Sequence, residues 1–203
     1  MPHVLIATSN PGKLRDFAGA AAPYALGVRG LPDSLLAQAV VEDGATFEAN
    51  ARKKAEHYSR LLPGELLLAD DSGLEVDALG GAPGVDSALY ASLEGGLRAN
   101  SSDAANNARL LRELQGIAGE RRTARFVCVL AAARDGRTLA TFRGQAEGRI
   151  LTAPRGSGGF GYDPLFLLPA LGKSFAELPP EEKAQHSHRG AAFRKFLEWY
   201  EGR

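Results

Sequence analysis

Cysteine is nearly missing from these 203 residues: Cys128 stands alone, so no internal disulfide can form. It lies in Phe126-Val127-Cys128-Val129-Leu130, the setting of a buried strand residue rather than of a nucleophile. Long apolar runs are missing too. All are broken by Gly, Pro or charge well short of the ~20 residues that span a bilayer, so no membrane partner is expected. The start, Met1 into Val4-Leu5-Ile6-Ala7, lacks the basic segment and longer apolar core of a signal peptide. With no disulfide and no export signal, the expected compartment is the cytoplasm. Net charge is also absent, with 24 Lys and Arg against 24 Asp and Glu. Nucleic-acid binders need a basic face to displace counterions, and composition gives no push toward DNA or RNA. A small anionic ligand needs only a few well-placed cations and is not excluded.

What is there is the balance of an ordinary globular chain, 44% hydrophobic and 24% charged. The length suits one compact domain over 1–203, or one domain with two lobes, and neither a repeat nor a linker divides it. A strand is expected at 3–8, then a helix from about 11 to 21 with Asn10 as N-cap and Pro11 at its first position. A strand passing into a helix start makes an anion site, because free backbone N–H groups point outward there. From Thr46, the residues Phe47, Ala51, Ala55, Tyr58 and Leu62 recur at helical spacing as one apolar stripe, and Pro63-Gly64 ends that helix. Leu66–Ala69 reads as a buried strand running into an acidic turn, Asp70-Asp71-Ser72-Gly73. A loop follows at Gly80–Gly84. Ser102 or Asp103 caps a helix to about Leu114 with Ala104, Ala108, Leu111 and Leu114 inward. Arg125–Ala133 is a central strand, and Thr138–Glu147 is its antiparallel neighbour across Asp135-Gly136. Pro154–Asp163 is a glycine-rich loop before the short strand Leu165–Leu168. The end, Glu181 to about Tyr200, is helical with a break near Ser187. Alternating elements place the chain in the α/β class with a mixed sheet.

Four segments carry chemistry. Thr8-Ser9-Asn10-Pro11-Gly12-Lys13 is a plausible phosphate cradle. It is not a P-loop, since Leu14 stands where that motif needs Ser or Thr and the upstream glycine is absent. Asp70 and Asp71 repel each other unless a hard cation relieves them, which suits Mg²⁺ and substrate phosphate; Asp-Ser-Gly is equally ordinary turn chemistry. Glu42-Asp43 offers a further metal ligand or a solvated loop. In Gly158-Gly159-Phe160-Gly161-Tyr162-Asp163-Pro164, glycines let a backbone approach a flat ligand on which an aromatic can stack, and a bulged turn with core aromatics is the other reading. Lys183 through His188-Arg189-Gly190 adds phosphate and hydrogen-bond donors.

Together these segments closely resemble the inosine/xanthosine triphosphate pyrophosphatase family, the Ham1-like non-standard purine nucleotide pyrophosphatases. The matching stretches are Ala7–Lys13, Thr46–Ala51, Ala69–Leu74, Leu79–Val85, Gly158–Phe166 and Ser187–Gly190, in the family's order over nearly the whole chain. The resemblance implies a single Ham1-like domain, an elongated mixed sheet flanked by helices, and two lobes around a central cleft. It also implies a homodimer that cleaves ITP, dITP or XTP between the α and β phosphates, releasing monophosphate and pyrophosphate. On that basis Thr8, Ser9, Asn10, Pro11, Gly12 and Lys13 hold the triphosphate. Asp71 is the general base and, with Glu42, a Mg²⁺ ligand; Asp43 leaves the metal register open by one. Ser72 contacts substrate, Phe160 stacks on the purine with Gly161 and Tyr162 beside it, and Asp163, His188 and Arg189 read its edge. Lys183 contacts the nucleotide, Lys53 faces the phosphates, Asp70 is a supporting carboxylate, and His186 has no role. Two rivals stand beside this: a Maf-type pyrophosphatase with other base preference, disfavoured by the His-Arg-Gly segment, and a non-catalytic nucleotide sensor, disfavoured by retention of both aspartates.

Overall fold

In the computed structural model, which describes residues 3–202, β1 (His3–Ile6) runs into α1 (Pro11–Ala21). The strand expected at 3–8 stops at Ile6. Ala7 still donates to Leu68 O at 2.8 Å, but Thr8 N turns back to Ile6 O at 3.1 Å and opens the helix cap. Next come β2 (Gly27–Gly30), the short α2 (Asp33–Leu36) and α3 (Phe47–Arg60). The cap at Thr46 is the expected one: its hydroxyl accepts from Ala49 N. Phe47, Ala51, Ala55 and Tyr58 are buried as the period predicts, while Leu62 lies past the helix end and stays half-buried.

The expected acidic turn is not a turn. β3 runs unbroken over Leu67–Val76, straight through Asp70-Asp71-Ser72-Gly73. β3 lies between β1 and β4 in the sheet, and its place there imposes extended backbone on residues whose local chemistry favours turning. After β3 come α4 (Asp103–Glu113), β4 (Thr123–Arg134), β5 (Arg137–Ile150), β6 (Phe166–Leu168), β7 (Lys173–Ser174), α5 (Pro180–His186) and α6 (His188–Glu201). Ser102, not Asp103, caps α4. Its inward row is Asn106, Leu110 and Leu114, with Leu111 packed against the same core; Leu111 and Leu114 are inward as expected, whereas Ala104 and Ala108 are exposed. The cause is Asn106, whose amide is satisfied by Ala91 N at 2.8 Å and Ala88 O at 3.3 Å and can therefore be buried among apolar neighbours. Asp135 and Gly136 both have positive φ, the geometry of the two-residue hairpin that the Asp-Gly pair predicts. Ser187 breaks α5 from α6 as expected and caps α6, its hydroxyl accepting from Gly190 N at 3.0 Å.

Among the described residues the sheet has seven strands in the order β2-β1-β3-β4-β5-β6-β7. β1 pairs parallel with β2 and β3, while β5–β6 and β6–β7 are antiparallel, so it is the mixed sheet expected. Two units partition the chain. The first holds the residues up to Ser72, Cys128–Gln145 and those from Pro180 onward. Its core packs Ile6, Phe17, Leu68, Cys128, Phe193 and Phe196 together, with α1 against α5 and α6. The second holds Gly73–Val127 and Ala146–Pro179 around Phe126, Phe166, Phe175, Leu110 and Leu114. Among the described residues no helix is long and apolar enough to cross a membrane.

One close approach fixes the start of α6. A Cβ on Gly144 of β5 would lie 2.2 Å from His188 O and 2.3 Å from Ala192 N. Only glycine lets the first turn of α6, which carries His188 and Arg189, rest directly on the strand backbone.

Candidate active site

At the start of α1, Asn10 Oδ1 accepts from Gly12 N at 2.8 Å and Lys13 N at 3.2 Å, and Asn10 N donates to Thr8 Oγ1 at 3.1 Å. Pro11 has no N–H, and Leu14 N donates to Asn10 O. The backbone donors of Asn10, Gly12, Lys13 and Leu14, in the stretch where the sequence leads one to expect them outward, are thus taken up by the cap. What remains toward an anion is the Ser9 amide and side-chain chemistry, the Thr8 and Ser9 hydroxyls and the Lys13 ammonium.

Lys13 reaches across to Asp70, Nζ to Oδ2 at 3.0 Å. Successive strand residues face opposite ways, so Asp70 and Ser72 share one face of β3 and Asp71 takes the other. On the first face, Ser72 Oγ donates to Asp70 Oδ2 at 3.0 Å and accepts from Arg189 Nη2 at 2.7 Å. Arg189 Nε lies 3.8 Å from Asp70. Burial pushes the Asp70 carboxyl up, but the charges of Lys13, Arg189 and Lys54 outweigh it and hold the group down at about 2. Asp70 Oδ1 is nevertheless buried without a hydrogen-bond partner.

Asp16, one turn after Lys13 on α1, joins this side and was not picked out from the sequence. Its carboxylate lies 3.1 and 3.3 Å from Lys183 Nζ and 3.0 Å from Arg189 Nη1. It therefore holds two of the expected substrate-binding cations in place. His188 is buried, and burial together with the charges of Arg189, Lys183 and Lys13 holds its pKa well below the usual histidine value. Its imidazole is neutral at physiological pH.

On the opposite face, Asn50 Nδ2 donates to Asp71 Oδ2 at 3.1 Å, and Lys54 Nζ lies 3.4 Å from Asp71 Oδ1. Asn50 Oδ1 also accepts from Gly44 N at 2.8 Å, tying the Glu42 loop to the same point. Burial raises the Asp71 pKa above the ordinary carboxylate value, although Lys54, Lys13 and Asn50 oppose it. Lys54 is the reverse case. Burial works against its charge, yet Asp71, Asp70 and Glu42 raise its pKa.

Lys53, expected to face the phosphates, turns outward instead. Lys53 is 45% exposed and pairs with Asp43 at 2.7 Å, whereas Lys54 is 10% exposed and pairs with Glu42 at 2.7 Å. Glu42, not Asp43, is thereby brought toward Asp71. Among the described residues no cluster of three or more His, Cys, Asp or Glu is built to hold a metal. Glu42 and Asp71 do converge on a single cation, the Lys54 ammonium. Two carboxylates completed by substrate oxygens are what Mg²⁺ ordinarily takes from a protein, so the donor set fits.

The glycine-rich loop belongs to the second unit. Asp163 is buried, and its Oδ2 accepts from Phe160 N at 2.9 Å. A Cβ on Gly159, which has φ +70°, would lie 2.0 Å from that oxygen. Phe160 is half-buried. Tyr162 is a core residue whose hydroxyl donates to Ser87 O at 2.8 Å, so it does not offer a face to a ligand.

The model of the Ham1 family matches residues 4–199. The dITP/XTP pyrophosphatase of Geobacillus kaustophilus is 51% identical over 99% of this chain and 95% of its own length. That of Acidobacterium capsulatum is 51% identical over 95% of both. A solved HAM1 protein from Coxiella burnetii superposes with a TM-score of 0.82 at 35% identity, covering 100% of each chain.

Proposed function

Because the chain belongs to the Ham1 family, we propose that it is a dITP/XTP pyrophosphatase, which hydrolyses non-standard purine nucleoside triphosphates to monophosphate and pyrophosphate. The observation that carries this reading is the division of labour on β3. Asp70 is surrounded by Lys13 and Arg189, while Asp71 sits beside Asn50, Lys54 and Glu42. The match to one family model over residues 4–199 supports one catalytic domain. A homodimer working in the cytoplasm completes the proposal, and light scattering of the purified protein tests its dimeric part.

In this reading the triphosphate lies along Thr8, Ser9 and Lys13, with Lys183 adding positive charge. Asp71 removes the proton from water as it attacks the α-phosphorus. Lys54 and Asn50 favour the charged form of Asp71 against its burial and keep it competent as a base. Lys13 neutralises charge on the departing pyrophosphate. Glu42 and Asp71 would hold Mg²⁺, which when bound neutralises phosphate charge and lowers the pKa of water. The Asp70 Oδ1 without a hydrogen-bond partner supports a site completed by a bound cation or a water, since a buried carboxylate oxygen with neither is costly.

Selectivity follows from hydrogen-bond complementarity. Hypoxanthine and xanthine present a 6-keto acceptor and an N1–H donor. Neutral His188 and the Arg189 guanidinium are donors for the first; Phe160 keeps the stacking role that the family resemblance gives it. Adenine reverses both groups, a mismatch that supports discrimination of ~10⁴ or more. Pyrophosphate release from ITP, XTP, GTP and ATP, with and without Mg²⁺, tests the proposal. Fast turnover of ITP and XTP that needs Mg²⁺ is expected. Equal rates on all four sink the selectivity, and preference for dTTP or UTP favours the Maf-type alternative.

A further inference from the structure

The loop that carries Phe160 is tied down residue by residue. Phe160 N–H donates to Asp163 Oδ2 at 2.9 Å, and Asp163 N–H donates to Phe160 O at 3.2 Å. Tyr162 is anchored through its hydroxyl to Ser87 O. Between them lies Gly161 at φ +62°, with nothing within 4 Å of where a Cβ would be. Such a glycine has the conformational freedom to swing the peptide next to Phe160.

Helix α4 removes that freedom. Gly161 N–H donates to Asp103 Oδ2 at 2.6 Å, and Gly161 O accepts from Asn107 Nδ2 at 3.0 Å. Residues four apart lie on one helix face, so a single face of α4 grips both polar groups of one residue. Ser102 caps the helix, which leaves the Asp103 carboxylate for the loop. Asn106, Leu110 and Leu114 anchor α4 in the core of the same unit, so the grip has a fixed footing.

We propose that Asp103 and Asn107 are positioning residues for base selectivity, holding Gly161 and thereby the Phe160 platform at one position. This rests on the reading of Phe160 as the purine platform. Neither residue is assigned a contact with substrate. Guanine shares the 6-keto and N1–H groups of hypoxanthine, so it has to be rejected at its 2-amino group. Rejection at one atom is sharp only when the base is held at a fixed height and angle. Releasing the grip therefore weakens ITP binding and relaxes discrimination against GTP, while the chemistry at the phosphates proceeds as before.

The test uses Asp103→Ala, Asn107→Ala and Asp103→Asn, the last keeping an oxygen acceptor, alongside Phe160→Ala. kcat and KM are measured for ITP and GTP, with inorganic tripolyphosphate as a baseless inhibitor. Each alanine variant at α4 is expected to raise the ITP KM by roughly 3- to 10-fold, the weight of one lost hydrogen bond. kcat and tripolyphosphate inhibition stay at wild-type values, the ITP preference over GTP narrows, and Asp103→Asn recovers the wild-type KM. An unchanged KM in both alanine variants, with a raised KM in Phe160→Ala, overturns the inference and leaves the platform standing. A fall in kcat together with weaker tripolyphosphate inhibition also overturns it, because that marks general loosening. An unchanged KM in Phe160→Ala overturns the platform itself and the inference with it.

Discussion

Asp70 and Asp71 share a peptide bond and face opposite ways across β3, one held by Lys13 and Ser72, the other by Asn50 and Lys54. Their environments push their pKa values apart, Asp70 down and Asp71 up. A base has to accept a proton, and the group with the raised pKa is the better acceptor. Asp71→Asn should lower kcat by about 10²–10⁴-fold with Mg²⁺ saturating. Steady-state pyrophosphate release checks this, and unchanged turnover removes Asp71 as the base.

Neighbouring lysines on α3 should behave very differently. Lys54 is buried between Glu42 and Asp71, and replacing it by Met leaves two carboxylates facing each other without their shared cation. A loss of about 10²-fold or more in kcat/KM is expected, on the scale of a removed electrostatic stabiliser. Lys53→Met removes only an exposed pair with Asp43 and should leave kcat/KM within about twofold. Comparable losses in both variants contradict the inward assignment of Lys54.

Acid stability should fall in two windows. A histidine held neutral in the fold protonates more readily when unfolded, so stability declines as pH drops below about 6.5. His188→Gln removes that first decline. Asp70 is the opposite type, a carboxylate lowered from 3.8 to about 2. Its contribution, about 2 kcal/mol, is present above pH ~4 and is lost as pH falls toward ~2. Asp70→Asn should flatten that lower window. Urea unfolding at stepped pH reads both, and a wild-type curve flat from pH 7 to 5 contradicts the buried neutral imidazole.

Gly144→Ala should be far more harmful than an added methyl on a strand usually is. Its Cβ would collide with His188 O and Ala192 N, both backbone atoms that cannot rotate away. Overpacking of this kind typically costs about 1–3 kcal/mol. Thermal unfolding measures that cost, and the ITP KM should rise as well, because the turn carrying His188 and Arg189 has to move.

Much of this was legible in the sequence because local chemistry and tertiary structure agreed. The Asn10-Pro11 cap, the Asp135-Gly136 hairpin and the break at Ser187 are all where side-chain chemistry puts them. β2 was missed because Gly27-Val28-Arg29-Gly30 has no pattern of its own and is a strand only by pairing with β1. The Asp70-Asp71 segment misled for the converse reason, a turn-like composition overruled by sheet neighbours. Lys54 was recoverable. It lies four residues after Asn50 and seven after Phe47, on the stripe that the helical period had already defined. Asp16 carried a similar signal, one turn beyond Lys13, but a carboxylate placed to orient cations looks like any surface acid until its partners are known.

The cap on α1 has a consequence for how freely this protein can be retuned. In a glycine-loop cradle the anion is held by main-chain amides, and no single substitution deletes them. Here Asn10 has already taken the amides of Gly12 and Lys13, leaving most of the grip on the triphosphate to hydroxyls and an ammonium. Each of those groups is encoded by one codon. Grip on the phosphates is therefore adjustable in single mutational steps, open both to drift and to engineering, without rebuilding the loop that presents it.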